Sequence, residues 1–76
     1  MNKARREKIN SVKEELANLS SVVEALRDEE QDYYDNMPEN LQSSERAELS
    51  EAAIDALDTA LDSMEEAVAS LEEAAE

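Results

Sequence analysis

The chain has 76 residues, among them one proline and no glycine, cysteine or histidine, and 21 acidic against 7 basic residues give it a formal net charge of −14. Lacking histidine and cysteine, it has none of the commonest transition-metal ligands, thiol nucleophiles, disulfides or imidazole acid–base chemistry; lacking glycine, it is poorly suited to tight hairpin turns and phosphate-cradling loops. So negative a surface repels phosphate, which excludes a general nucleic-acid binder, disfavours an anionic membrane and points to neutral or basic partners.

The opening Met1-Asn2-Lys3-Ala4-Arg5-Arg6 is basic like the start of a signal peptide, but Glu7, Lys8 and Asn10 follow where an apolar run would be needed. No export signal or membrane span is expected. Ile9, Val12, Leu16, Leu19, Val23, Leu26, Glu30, Tyr33 and Met37 then recur at alternating spacings of three and four, the a and d positions of a heptad with one polar exception. This predicts a first helix over about residues 3–36. Pro38 disfavours helical geometry at Met37 and cannot continue the hydrogen-bond ladder, so a turn is placed at 37–43.

Ser43 or Ser44 can cap a second helix through its hydroxyl, and Glu45 and Glu48 then set negative charge at the positive end of its dipole. Neither serine has Glu or Gln three residues on, so a full capping box is absent. The second helix, about 44–75, carries Ile54, Leu57, Leu61, Met64, Val68, Leu71 and Ala75 in the same alternation. Helices of about four heptads, roughly 40 Å each, joined by so short a turn are antiparallel neighbours, and a single domain spans 1–76. The fold class is all-α, a coiled-coil-like two-helix hairpin. Facing a against d sets Leu26 opposite Ile54, Leu19 opposite Leu61 and Ile9 opposite Leu71.

The flanks support this register. The e positions of helix two are all acidic (Glu51, Asp58, Glu65, Glu72) and face Lys13, Ser20, Arg27 and Tyr34, while its g positions are all alanine (Ala53, Ala60, Ala67, Ala74). Five of the seven bases lie in residues 1–13, and residues 47–76 hold ten acids and no base, so the topology brings Arg5 and Lys8 towards Glu72, Glu73 and Glu76. Such exposed pairs contribute only about 0.2–1 kcal/mol each. One seam between two helices buries little, and chains below about 70–80 residues usually need a disulfide, a metal or association. The alanine stripe with Val22 therefore predicts a homodimer interface and a four-helix bundle.

Two readings fit the acidic surface. Carboxylates could occupy a cleft built for phosphates: with 20 acids after residue 13 on a hairpin of roughly 40 Å, the spacing is about one per 2 Å, against about one per 1.7 Å of duplex DNA. The plainer reading is that they solvate an otherwise sticky hairpin. Tyr33, at a d position, reads as closing the core beside the turn, and Tyr34, at e, either anchors a partner or shields Met37. Glu30, at a, either fixes register or frays into water. Pairs such as Glu65 and Glu66 lack any accompanying histidine or calcium-loop glycine, so no metal or other cofactor is expected, and a two-helix hairpin offers no concave pocket for catalysis by carboxylates.

The segment Tyr33-Tyr34-Asp35-Asn36-Met37-Pro38-Glu39-Asn40-Leu41-Gln42-Ser43-Ser44-Glu45-Arg46, followed by an alanine- and acid-rich helix, resembles small uncharacterised acidic helical hairpins of bacterial and phage or mobile-element genomes. The resemblance implies a cytoplasmic setting in a bacterial host and an accessory or anti-defence role. The leading expectation is a non-enzymatic factor that docks on a basic, nucleic-acid-binding protein surface through Asp28, Glu29, Asp32, Tyr34, Asp35, Asp55, Asp58 and Asp62. The alternative is a structural or assembly module acting through its apolar and alanine face.

Overall fold

In a computed structural model the chain is a two-helix hairpin with principal extents of 60 × 14 × 12 Å. The structure describes residues 2–41 and 43–76; Met1 of the basic start and Gln42 of the expected turn lie outside the described residues. Helix α1 spans Lys3–Asp35 and helix α2 Glu45–Ala74, with a single 3₁₀ turn over Glu39–Leu41 between them. No described residue has positive φ, as befits a chain without glycine. At 33 and 30 residues the helices run to about 50 and 45 Å. They are longer than the roughly 40 Å the heptad count implied.

Asn2 starts α1, its Oδ1 accepting from the Arg5 backbone N–H at 2.8 Å. At the other end the Asn36 backbone N–H and side-chain amide both donate to the Asp32 carbonyl, at 3.0 and 2.8 Å, closing the last turn. Ser44 is the residue that caps α2: its Oγ accepts from the Ala47 N–H at 3.3 Å and donates to the Leu41 carbonyl, joining the cap to the turn.

The register follows from one polar pair in the seam. Ser50 Oγ donates to Glu30 Oε2 at 2.6 Å, and Ser50 is only 3% exposed. Residue n of α1 is thus level with residue 80 − n of α2, in agreement with the facing of a against d. Glu30 does not fray, and the seam of α2 extends one heptad towards the turn beyond Ile54, through Ser50 and the buried Ala47.

One part of the seam differs from the expected symmetric facing of a and d rows. On α2 the a row is the most buried, with Ala47, Ile54, Leu61 and Ala75 all under cover, and the alanines 53, 60 and 67 are half-buried beside it. On α1 the half-buried residues are the a row (Ile9, Leu16, Val23, Glu30), the e row (Arg6, Lys13, Ser20, Arg27, Tyr34) and two b positions (Asn10, Gln31), and no residue of the helix is buried. The d row, Val12, Leu19, Leu26 and Tyr33, is 48–57% exposed. The cause is the unequal cost of the two flanks of α2: alanine loses nothing by burial, whereas desolvating the e-row carboxylates costs several kcal/mol each. Helix α2 turns its alanines inward and its acids outward, and α1 turns its e row over the seam to meet them.

Tyr33 consequently does not close the core. The position beside the turn is filled by Met37 and Ala47, at 7% and 1% exposure.

Candidate protein-docking surfaces

The long axis of the hairpin has two unlike flanks. Along the e flank, side chains cross from helix to helix: Lys13 Nζ lies 3.9 Å from Glu72, Arg27 Nη1 lies 3.5 Å from Asp58, and the Tyr34 hydroxyl donates to Glu51 at 2.9 Å. Arg27 Nε also lies 3.3 Å from Asp28, an ion pair without a hydrogen bond. The crossing contacts fall at intervals of fourteen and seven residues on each helix, on opposed e rows whose remaining position, Ser20 facing Glu65, has no such contact among the described residues. Donation to Glu51 favours the neutral phenol, so the Tyr34 pKa is raised above its ordinary value of about 10, with loss of hydration and the Glu51 charge acting in the same direction.

Arg5 and Lys8 form no ion pair with Glu72, Glu73 or Glu76 among the described residues. Helical phase gives the reason. Lys8 and Arg5 fall on the flank of Val12 and Val22, while Glu72 belongs to the opposite, zipped flank, where Lys13 reaches it.

The expected partner-binding residues do not gather into one patch. At 100° per residue, Asp28, Asp32 and Asp35 share a strip on the outer side of α1, Glu29 is displaced 60° from Asp32 around the helix, and Tyr34 lies 120° from Asp28 on the seam side. Asp55, Asp58 and Asp62 form a second strip along α2. Several are engaged within the chain: Asp28 and Asp58 by Arg27, Asp35 Oδ1 by the Gln31 side chain at 3.0 Å, and Tyr34 by Glu51. Glu29, Asp32, Asp55 and Asp62 are exposed. Between the strips a shallow open cleft of about 340 Å³ is lined by Gln31, Tyr34, Glu51, Ile54 and Asp55. Among the described residues, no group of three or more His, Cys, Asp or Glu is arranged to hold a metal ion, and no helix is long and apolar enough to cross a membrane.

The opposite flank is uncharged on α2 and mixed on α1, where Arg5, Lys8, Glu15 and Glu29 flank an apolar row. From residue 49 to 74, the positions of α2 on this side are Leu49, Ala53, Ala56, Ala60, Ser63, Ala67, Ser70 and Ala74, without a single charge. Beside them runs the exposed d row of α1, with Val22 at 54% and, near the turn, Leu49 at 66% exposure. The expected interface residues Val22, Ala53, Ala60 and Ala67 all lie here, and Ala74 is exposed at the far end. Sequence spacing had assigned Val12, Leu19, Leu26 and Tyr33 to the seam. The signal that would have freed them is the contrast between all-acidic e and all-alanine g rows in α2, which sets the roll of the helices.

Acidic density is lower than the shorter hairpin implied: 21 carboxylates over 60 Å give about one per 3 Å, close to the 3.4 Å spacing of charge along one strand of a duplex. Compared with family models, with curated proteins and with solved structures, the chain finds no match.

Proposed function

We propose that this chain is a non-catalytic binding factor that works as a pair of hairpins and presents its outward carboxylates to a basic protein surface, of the kind that ordinarily holds a nucleic-acid strand. The observation that supports the reading is the separation of charge around the hairpin. The acids of α2 after residue 47 keep to one side, and among the described residues only Asp28, Asp58 and Glu72 meet a base. Apart from these and from Glu30, Asp35 and Glu51, which accept from Ser50, Gln31 and Tyr34, the carboxylates are open to a partner's lysines and arginines, at a mean spacing on the order of that of single-strand phosphates. In a phage or mobile-element setting within a bacterial cytoplasm, such occupancy would block a host nuclease or restriction enzyme.

The test is capture from bacterial lysate on immobilised chain at low and at high salt. Docking by charge recovers nucleic-acid-binding proteins at low salt, loses them at high salt, and is weakened by replacing Glu29, Asp32, Asp55 and Asp62 with their amides. Recovery of no basic protein at either salt would refute it.

The exposed d row of α1 favours a second reading, an assembly module in which the apolar flank is the function and the acids solvate it. In that case the four amide substitutions leave activity intact, and Ala60→Phe abolishes it.

A further inference from the structure

The hairpin has more uncovered surface than a compact chain of its mass leaves open. Folded monomers of 8.5 kDa expose about 4,700 Å² by the scaling of area with mass, whereas the hairpin exposes 5,639 Å². The excess of about 1,000 Å² per chain is what one partner contributes to a protein–protein interface of standard size, about 800 Å². Helix α1 has no buried residue from Lys3 to Asp35. Half of each large side chain in its d row is therefore still in contact with water.

We infer that the occupant of the flank carrying this row is a second copy of the chain, related by a two-fold axis parallel to the hairpin, with the α1 ridge of each copy set against the alanine row of the other's α2. The register supports the fit. Residue n of α1 is level with 80 − n of α2, and a two-fold along the long axis keeps that level between copies. Val12, Leu19 and Leu26 then stand within one residue of Ala67, Ala60 and Ala53 of the second copy. Large side chains recur every seven residues on one helix and meet small ones recurring every seven on the other, as packing of a ridge into a groove requires.

The fourth ridge residue, Tyr33, comes level with Arg46, one of only two bases beyond residue 13, so a guanidinium meets an aromatic ring where the alanines stop. Charge selects the same face. Two copies of net charge −14 repel each other on every acidic side, and the uncharged run from 49 to 74 is where α2 can approach a like-charged twin. All four neighbouring helix pairs in the assembly are antiparallel, the arrangement of an up-down bundle. The inference deepens the pairing of hairpins proposed above; it concerns the flank opposite the aspartate strips of Asp28, Asp32, Asp35 and of Asp55, Asp58, Asp62, and stands whether or not those strips dock on a basic protein.

The absence of native cysteine allows a direct test. Chains bearing only Leu26→Cys are mixed with chains of distinguishable mass bearing only Ala53→Cys and oxidised, and a parallel mixture uses Ala67→Cys, about 21 Å further along α2. A mixed disulfide forming at least tenfold more with Ala53→Cys than with Ala67→Cys is the expected result. Equal yields, or none with either, would overturn the arrangement. Sedimentation of the unmodified chain guards against a cysteine variant that misfolds: the expected mass is twice 8.5 kDa, falling to the single-chain value in Leu19→Glu. A fully helical species of single-chain mass at 100 μM would overturn the pairing itself.

Discussion

Replacing Leu19 and Leu61 by alanine, one at a time, separates a lone hairpin from a paired one. The two leucines face each other by register, yet Leu61 is 8% and Leu19 57% exposed in the single chain. Burial of a leucine side chain stabilises by about 1.5–3 kcal/mol, and a cavity adds to the loss where the surroundings cannot collapse, so Leu61→Ala costs about 2–4 kcal/mol per chain. For a lone hairpin only about two fifths of the burial term applies to Leu19. Less the few tenths that alanine returns in helix propensity, Leu19→Ala then costs about 0.5–1 kcal/mol. In the paired bundle Leu19 is covered by the second copy's Ala60 row, and its cost rises to about 2–3 kcal/mol per chain. Urea denaturation followed by helical circular dichroism measures both, at two concentrations tenfold apart. A pair gains about 1.4 kcal/mol of dimer across that step and its midpoint moves up. Midpoints independent of concentration, together with a Leu19→Ala cost below about 1 kcal/mol, would show the ridge to be bare in solution.

Ser44→Ala removes the hydroxyl that caps α2 and should cost about 1 kcal/mol in the same denaturation assay, whereas Ser43→Ala should stay within about 0.5 kcal/mol; equal costs would contradict the cap assignment. Added sodium chloride should raise the melting temperature, since screening relieves the self-repulsion of a net charge of −14 more than it weakens three exposed ion pairs; a fall with salt would mean that the e-flank pairs dominate. The Tyr34–Glu51 bond ties stability to alkaline pH. Because the folded pKa of Tyr34 is raised, the contribution is complete below the unfolded value of about 10 and disappears as pH climbs through the folded value. In a Tyr33→Phe background, tyrosinate absorbance reports Tyr34 alone, and Glu51→Ala should bring its titration to lower pH; an unchanged curve would remove the bond from the account.

The hairpin and its register were legible in the spacing of Ile9 to Met37 and Ile54 to Ala75, because heptad repetition leaves an antiparallel pair few ways to face. The same periodicity hid the position of Ser50. A buried polar residue breaks an apolar pattern as a loop residue would, and only its donation to Glu30 distinguishes the two. Glu30 was visible as an exception in α1, and reading 80 − 30 on α2 would have found its partner. Tyr33 and its row were misplaced for a different reason: the heptad gives the angular position of each side chain relative to its neighbours, but not the roll of one helix against the other.

That roll connects the two flanks. Turning α2 to expose Glu51, Asp58, Glu65 and Glu72 draws Ala53, Ala60 and Ala67 inward, and α1 answers by carrying Lys13, Arg27 and Tyr34 over the seam. The same rotation lifts Val12, Leu19, Leu26 and Tyr33 out of it, so the acidic face and the apolar ridge are consequences of a single asymmetry in the e and g rows. Replacing the e-row acids of α2 by alanine would remove the cost that holds the roll, letting the d row settle back into the seam. Loss of self-association would then follow from substitutions on the flank opposite the interface. Charge substitutions confined to the outer strips, at Asp55 or Asp62, leave the roll in place and bear on the basic partner alone.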